Sequence, residues 1–592
     1  MFGSGCVDDE LDPSMPGADE VGEEGGTGGD DEDGPSDTEG PSDTEGESTS
    51  GEEGTGEEGT GEEGTGEEGT GEEGTGEEGT GEEEEYTPPL GGMRRLLDYQ
   101  YVNSIELMFG PEAAAVAAPP GDQALSGYTS IGAAELSPGL DLVENYETSA
   151  LAVADAVVAN PQTLALIAPC VINDNSDAEA CYAQVATNLA HLAWRRSPSA
   201  EEVQAIVDIS LQARTWGEGA FGPGLKYGIV RVLLSPHFIY VSELGEQDVE
   251  DPTVYWLTGP EVITRMSLLI NGRIPSLALL EAAENGLYDE VSALDSLARD
   301  MVADPGAPEA VSEFFAEYLA LDEISAKDPE LFPLYSEALV ASMVEETEHL
   351  LRAVIWEDNT DWRTFFDADY THVDAALASF YGMEAPVEDW ARVQLPEDRA
   401  GFLTQGSVLA RNSHSNINST TRRGQYIQER MLCYTVPPPP ADVSPVLPEV
   451  PEDTPMTLRQ LMEEIHLSDD SCATCHVHLD TLGFPLEHFD ALGAWRELDN
   501  GLPIDPVSEY GSFGVMNDAI DLATNVAMDP RTPECLANNL LRFGRGSLED
   551  YSTESAALEA LYLDFEESGF RVQELLVSFV TSKLFRQVGE PK

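Results

Sequence analysis

Basic residues are the scarcest feature of this chain: 28 Lys and Arg stand against 113 Asp and Glu in 592 residues, for a net charge of −85. Nucleic acids and anionic membrane surfaces repel a chain this acidic. The deficit therefore argues against nucleic-acid binding. It favours basic protein partners or divalent cations.

Several other features are missing as well. No stretch approaches the roughly 18 consecutive apolar residues of a transmembrane helix. The sequence contains no Gly-x-Ser-x-Gly elbow, no phosphate-binding P-loop and no His-Glu-x-x-His zinc motif. Alternating strand patterns are scarce, whereas apolar residues often recur at helical spacing. We therefore expect a mainly α-helical, multi-domain fold.

The acidic residues are concentrated at the N-terminus. Residues 1–90 contain 33 Asp or Glu and no basic residue, and they repeat Gly-Glu-Glu-Gly-Thr six times between residues 51 and 80. A Gly-rich tract that repels itself cannot bury enough apolar surface to fold. We predict a disordered stalk over residues 1–90, with order beginning near Met93; a tail with no role is the alternative.

The first six residues, Met-Phe-Gly-Ser-Gly-Cys, are similar to the end of a lipoprotein signal. Gly3 stands where such signals normally have Leu, and the charged and apolar parts are missing. We expect Cys6 to be a lipidation site behind a truncated signal peptide, with the protein in the periplasm or on the outer-membrane surface. An incidental N-terminal Cys is the alternative, and a lipid anchor would be the only membrane contact.

Helical periodicity and breaks in composition divide the rest of the chain. Leu97, Tyr101, Ile105 and Met108 predict a helix over residues 94–109. Ser199 and Glu202 form a capping box, and further helices are predicted around residues 294–302 and 339–355. The predicted domains are an N-terminal helical domain at 91–184, helical domains at 185–250 and 251–385, a Cys-x-x-Cys-His domain at 396–505 and a C-terminal helical domain at 506–592.

One short Cys- and His-containing motif predicts a cofactor site. Cys472-Ala473-Thr474-Cys475-His476 spells Cys-x-x-Cys-His, the attachment signal for covalent c-type haem. Two thiols at this spacing can each form a thioether to one porphyrin, and the adjacent imidazole can ligate the iron. We therefore predict one haem c, with His476 as the proximal iron ligand.

The ligand on the other face of the iron is open at this point. His414, in a polar loop before the motif, and Met516, downstream of it, are the two candidates that we favour, while Met528, His466 and His488 are further alternatives. His478 is expected to point away, because it lies two residues from His476 on one short helix. An iron with no second ligand would favour catalysis over simple electron transfer.

Other side chains near the motif are candidates for a second metal site or for contacts with the haem. Asp480, Glu487, Asp490 and Asp499 follow it closely and are candidates for a calcium site, or for a solvated acidic surface. Trp495 and Arg496 are candidates for covering the haem and pairing with a propionate.

Three rival metal or redox sites remain open. Cys472 and Cys475 with His476 or His478 could bind zinc, or the two thiols could form a thioredoxin-like redox pair. Two Glu-x-x-His pairs, Glu346 with His349 and Glu463 with His466, have the spacing used in di-iron bundles.

The remaining cysteines form an even set, which in an exported protein favours disulfides. We pair Cys170 with Cys181, which are close in sequence, and Cys433 with Cys535. Four buried free thiols are the alternative, because pairing cannot be deduced from sequence alone.

Several stretches together resemble a known family, the large exported cytochrome-c-like proteins of planctomycetes and myxobacteria, which are built from consecutive domains of unknown function. The resemblance covers nearly everything from residue 93 onward and is most specific around the haem motif. The residues that carry it are Arg94 to Gly110, Trp194 to Pro198, Leu234 to Tyr240, Leu257 to Gly382, Arg399 to Gln405, Thr420 to Gly424, Leu432 and Cys433, Pro437 to Pro440, Cys472 to His476, Asp480 to Asp490, Gly493 to Arg496, and Cys535 to Gly546.

The resemblance implies a haem c site at Cys472, Cys475 and His476, and it implies no agreed substrate. One departure, at Ile270 to Pro275, replaces the usual Trp-containing helix end of the third domain. Three functions follow as hypotheses. The first is a monohaem cytochrome that transfers electrons to a redox partner protein. The second is an oxidoreductase with an open iron acting on peroxide or an organic substrate, and the third is a non-redox surface binding protein with a structural Cys-x-x-Cys.

Overall fold

The computed structural model describes residues 86–137, 139–172, 178–321, 323–437, 455–465, 467 and 470–591. Within these residues the fold is mainly α-helical, as predicted, and the strands are only two to four residues long. The predicted stalk lies outside the described residues, apart from its last five, and so do Cys6 and His466.

Two hydrophobic cores organise the helices. The first core holds the N-terminal bundle, and the strands Gly92–Arg95 and Tyr240–Glu243 pair antiparallel beside it. Its helices are α1 (Asp98–Phe109), α2 (Pro111–Ala114), α4 (Leu140–Ala159), α5 (Pro161–Ile167), α6 (Ala178–Trp194), α7 (Ala200–Trp216), α8 (Phe221–Leu233) and α9 (Pro236–Ile239). Helix α3 (Thr129–Glu135) instead contributes Ile131 and Ala133 to the second core.

A second and larger core joins the central and C-terminal helices. Its central helices are α10 (Gly259–Ile270), α11 (Leu277–Glu284), α12 (Val291–Val302), α13 (Ala307–Leu319), α14 (Glu337–Arg352) and α15 (Thr364–Asp367). The later helices in this core are α17 (Gly406–Arg411), α18 (Thr420–Tyr426), α20 (Asp470–Gly483), α21 (Ala519–Met528), α22 (Arg531–Arg545), α23 (Tyr551–Glu567), α24 (Val572–Thr581) and α25 (Lys583–Arg586). Helices α16 (Ala375–Phe380) and α19 (Leu458–Ile465) each pack in a smaller cluster of their own.

The strands form small antiparallel pairs and one three-stranded sheet in the order β11-β4-β3. They are β1 (Gly92–Arg95), β2 (Tyr240–Glu243), β3 (Glu246–Gln247), β4 (Tyr255–Trp256), β5 (Tyr370–Val373), β6 (Ala391–Gln394), β7 (Leu498–Asp499), β8 (Leu502–Pro503), β9 (Ser508–Tyr510), β10 (Gly514–Met516) and β11 (Gln587–Val588).

The local predictions hold in most places and fail in two. The capping box at Ser199 and Glu202 starts α7, as expected. The first helix begins at Asp98 rather than at Arg94, because residues 92–95 pair with β2 as a strand. Order begins before Met93, since the Tyr86 ring lies under the Lys583 ammonium, 4.3 Å away, and Leu90 bridges to Gly589.

Among the described residues, no single helix is long and apolar enough to cross a bilayer. Helices α4 and α5 are long and apolar enough only when they are taken together, and the chain bends by 96° between them.

Helices α18 and α20 cross in direct backbone contact. A Cβ atom added at Gly424 of α18 would lie 1.8 Å from the Leu479 carbonyl oxygen, and one added at Gly483 of α20 would lie 2.0 Å from the Thr420 carbonyl oxygen. Only glycine leaves room for such an approach. The two glycines therefore set how closely the motif-bearing helix approaches the rest of the fold.

A buried arginine ties the same region together. Arg423 of α18 is 1% exposed. Its guanidinium donates to the carbonyls of Leu486, Phe489 and Asp490 and to the Ser413 hydroxyl. A planar fork with five donors can satisfy several carbonyls at once, which a lysine could not. The loop that follows α20 is thereby fixed onto α18.

A buried carboxyl lies where the central helices meet the segment that leads to the motif. The Tyr381 and Thr371 hydroxyls each donate to Glu346, over 2.7 Å. The Tyr381 oxygen also accepts the Gly406 amide, and the Arg399 guanidinium stacks 4.3 Å from the Tyr381 ring. Glu346 is 0% exposed, and burial raises its pKa to about 7.

Gly424→Ala should destabilise the protein by about 3 kcal/mol, at the upper end of the usual cost of overpacking. The clash with the Leu479 carbonyl should outweigh the gain of about 1 kcal/mol from replacing a helical glycine. Urea titration followed by circular dichroism measures the effect. Gly121→Ala is the control, because a Cβ there meets nothing within 4 Å. Equal stability of the two variants would refute the close crossing.

The pKa of Glu346 predicts a pH dependence of stability. The folded chain keeps this proton above pH 4.5, where the unfolded chain releases it. The contribution is therefore complete below that pH and is lost as the pH rises to about 7, a loss of about 3 kcal/mol. Glu346→Gln should flatten this slope in urea titrations between pH 4.5 and 7.5.

Glu345→Gln is the matched control on the same helix, since the Glu345 side chain is 52% exposed. It should keep the slope of the unmodified protein. A Glu346→Gln variant with an unchanged slope would show that this carboxyl is ionised in the folded chain.

Candidate functional site

The motif lies on helix α20. Cys472, Cys475 and His476 occupy positions i, i+3 and i+4, which share one side of a helix. All three side chains are half-buried. The structure contains two disulfides, and neither Cys472 nor Cys475 belongs to them. The two thiols and the imidazole are therefore presented together by one short, regular element.

A buried carboxylate orients the imidazole. The Nδ1 atom of His476 lies 3.1 Å from Oδ2 of Asp480, one helical turn later. Asp480 is 0% exposed, and the Thr421 hydroxyl of α18 donates to its other oxygen over 2.6 Å. When Nδ1 donates to a carboxylate, Nε2 carries the lone pair that can ligate a metal.

The other histidine of the motif region faces away. His478 lies about 200° around the helix from His476. It is exposed, and its ring lies 6.4 Å from that of Tyr510 in β9. Its position agrees with the expectation from its spacing.

The His414 loop precedes the end of α18 that contacts Asp480. A bridge between Ser413 and Asn418 closes this loop, and the His414 amide donates to the Ile417 carbonyl. His414 is half-buried. Burial, with the positive charges of Arg422 and Lys327, lowers its pKa, so that the neutral imidazole is favoured.

Met516 lies elsewhere. It ends β10 and is 0% exposed in the larger core. The partner strand β9 contacts α20 through the Ser508 hydroxyl, which donates to the Thr481 carbonyl. Thr481 lies about 140° around the helix from His476. The hairpin that carries Met516 thus approaches α20 from the side away from His476, and Met528 is 64% exposed at the end of α21.

The acidic residues after the motif are neither a solvated surface nor a shared cluster. Besides Asp480, Glu487 accepts the Asn418 amide, Asp490 accepts three backbone amides of its own loop, and Asp499 pairs with Arg496. Burial raises the pKa of Glu487 to about 7. Within the part of the chain that the structure describes, no three His, Cys, Asp or Glu side chains are grouped to hold a metal ion.

Trp495 and Arg496 are engaged within the protein. The Trp495 ring stacks on His488 at 4.4 Å and is 43% exposed. Arg496 donates to Asp499, to the Asn418 side chain and to the Glu487 carbonyl. Its guanidinium therefore already has protein acceptors, so a role toward a propionate stays a prediction.

The Glu-x-x-His residues that the structure describes have other roles. Glu346 is hydrogen-bonded to Tyr381 and Thr371, whereas His349 stacks on His372 and makes a tilted ring contact with Trp390. Glu463 pairs with Arg459 on α19.

The thioredoxin-like alternative would place the motif in a βαβ unit. The strands nearest α20 belong to short antiparallel hairpins, not to a βαβ unit.

The expected disulfides form: Cys170 with Cys181, and Cys433 with Cys535. The second closes a separation of 102 residues that contains the whole motif. It connects the segment after α18 to α22.

Sequence reasoning missed the residues that support the motif. Asp480 entered only as a calcium candidate, although its i+4 spacing from His476 would have identified the contact. Thr421 and Gly424 gave no such signal, because their roles arise only when α18 meets α20.

Three consecutive segments match known families. Residues 181–243 match PSD5, a protein of unknown function (DUF1595). Residues 257–383 match PSD4, a protein of unknown function (DUF1592), and residues 399–499 match PSCyt3, a protein of unknown function (DUF1588). The last match contains the motif, α18 and the His414 loop.

The three matches in this order support a multi-domain, cytochrome-like family of the kind that the sequence resembles. No curated protein matches the chain. No solved structure matches it either.

Proposed function

We propose that α20 carries one covalent haem c, attached at Cys472 and Cys475 and ligated by His476. The observation that carries this proposal is the buried Asp480 carboxylate, which holds Nδ1 of the motif histidine beside two thiols on the same helix side. The cytochrome-like name of the matching PSCyt3 family supports it further.

The residues present fit the group. Thiols and imidazole are the donor types of a c-type site, and the carboxylate behind His476 is the usual second partner of a metal-bound histidine. A small apolar cluster of Leu458, Leu461, Met462 and Phe484 packs against Ile417 of the His414 loop. A bound haem c supplies a one-electron Fe(III)/Fe(II) couple, while the chain orients the imidazole and holds the apolar surroundings.

We propose that His414, rather than Met516, would be the second residue to hold the iron. The His414 loop leads into the end of α18 that bonds Asp480, on the His476 side of α20. The hairpin of Met516 meets the other side, and its thioether is packed in the core. The lowered pKa of His414 favours the neutral imidazole, the form that ligates metals.

The protein then acts as an exported, lipid-anchored electron carrier. Two disulfides favour an oxidising compartment. Residues 91–592 retain a net charge of −52, which favours a basic redox partner. Lipidation at Cys6 would anchor the chain to the membrane.

Exporting the full chain with the c-type haem attachment machinery should give one covalent haem per chain, measured by the pyridine haemochrome spectrum. Cys472→Ala with Cys475→Ala should abolish covalent attachment, because both thioethers are lost. Cys170→Ser with Cys181→Ser, which removes a distant disulfide, should keep the haem. A full chain without covalent haem would eliminate both redox hypotheses and leave the non-redox binding protein.

Spectra of the haem-loaded protein test the second ligand. His414→Ala should convert a six-coordinate, low-spin spectrum into a high-spin one that binds cyanide readily. Met516→Leu nearly conserves volume in the core and should leave the spectrum low-spin. The reverse pattern would assign Met516. A high-spin spectrum before any substitution would support the open-iron oxidoreductase instead.

A further inference from the structure

A cavity of about 350 Å³ lies beside α17 and α18. Its walls are rich in hydrogen-bond donors. The residues that line it are Glu323, Ser325, Arg411, Asn412, Arg422, Gln425, Tyr426, Glu429 and Arg430. Three arginines meet here although the whole chain has only 28 basic residues.

Two of these arginines are fixed by the protein. Arg411 donates to the Ala320 carbonyl, pairs with Glu323 and lies 5.0 Å above the Tyr426 ring. Arg430 donates to the carbonyls of Glu317 and Tyr318, over 3.1 Å each. Both guanidinium groups are therefore held in place before any ligand arrives, which lowers the entropic cost of binding.

The third arginine, Arg422, differs from the other two in its exposure and in its partners. Arg422 is exposed on α18, and it makes no ion pair with any residue that the structure describes. The carboxylates of the same cavity have other partners, since Glu323 pairs with Arg411 and Glu429 accepts the Gln425 amide. Three arginines against these two carboxylates leave the cavity with one net positive charge, and Arg422 is the exposed arginine that forms no ion pair with a described residue.

A buried lysine adds positive charge behind the wall. Lys327 is 3% exposed, and its ammonium donates to the Ser325 hydroxyl and to the Ser413 and His414 carbonyls. Among the described residues it has no carboxylate partner. A buried ammonium held only by neutral oxygens is costly, and a nearby anion would lower that cost.

We propose that this cavity binds a small carboxylate or phosphate anion, with Arg422 as its main ionic contact and Arg411 as a preorganised donor. The carboxylate has two sources, a free organic acid or a propionate of a haem held on α20. The proposal rests on the cavity alone and does not depend on the haem.

Calorimetric titration of the full chain with succinate and with inorganic phosphate tests the site. Both probes should bind, and Arg422→Gln should weaken binding about tenfold or more, as expected when a hydrogen bond to a charged group is lost. Ser325→Glu, which adds a carboxylate to the wall, should weaken it as well. Arg231→Gln removes another exposed helical arginine, on α8, and should change nothing.

Repeating the titration on haem-loaded protein and on the Cys472→Ala, Cys475→Ala, His476→Ala variant separates the two sources. Equal affinity in both forms assigns a free anion, whereas binding only to the haem-free form assigns a propionate. The proposal is overturned if neither form binds either probe, or if Arg422→Gln and Ser325→Glu bind as tightly as the unmodified chain.

Discussion

The backbone contact between α18 and α20 is the constraint on which the candidate site depends. Gly424 and Gly483 let the two helices approach until carbonyl oxygens occupy the space of a missing Cβ. At that distance the Thr421 hydroxyl reaches Asp480, and Asp480 is removed from water. A carboxylate kept dry and hydrogen-bonded on one side is a rigid partner for an imidazole, so the orientation of His476 follows from the helix crossing.

The surrounding charges show how an acidic chain uses its few cations. Arg423, Arg399 and Arg265 are all buried, and each donates to a backbone carbonyl of a segment distant in sequence. Arg265 pairs with Glu243, where neighbouring arginines lower the pKa of the carboxyl to about 2. These basic groups thus hold segments that are distant in sequence together from inside.

What could be predicted from the sequence depended on local information. The motif on α20, the capping box at Ser199 and the two disulfides follow from short spacings or from simple counting. The start of α1 could not be predicted, because strand pairing with residues 240–243 overrode the helical pattern. Asp480 was a candidate calcium ligand and Met516 a candidate iron ligand, and only the packing shows that Asp480 contacts His476 and that Met516 lies in the core.

For the proposed haem, the geometry of α20 distinguishes the two candidate iron ligands better than their distance in sequence does. His414 is 62 residues before His476 and Met516 is 40 residues after it, so sequence distance slightly favours the methionine. The helical geometry of α20 favours His414 instead. The Asp480 side chain contacts α18, whereas the carbonyl of the next residue, Thr481, contacts β9. For the haem c that we propose, α18 and its preceding loop are the neighbours on the His476 side of α20, which favours His414 as the second residue to hold the iron.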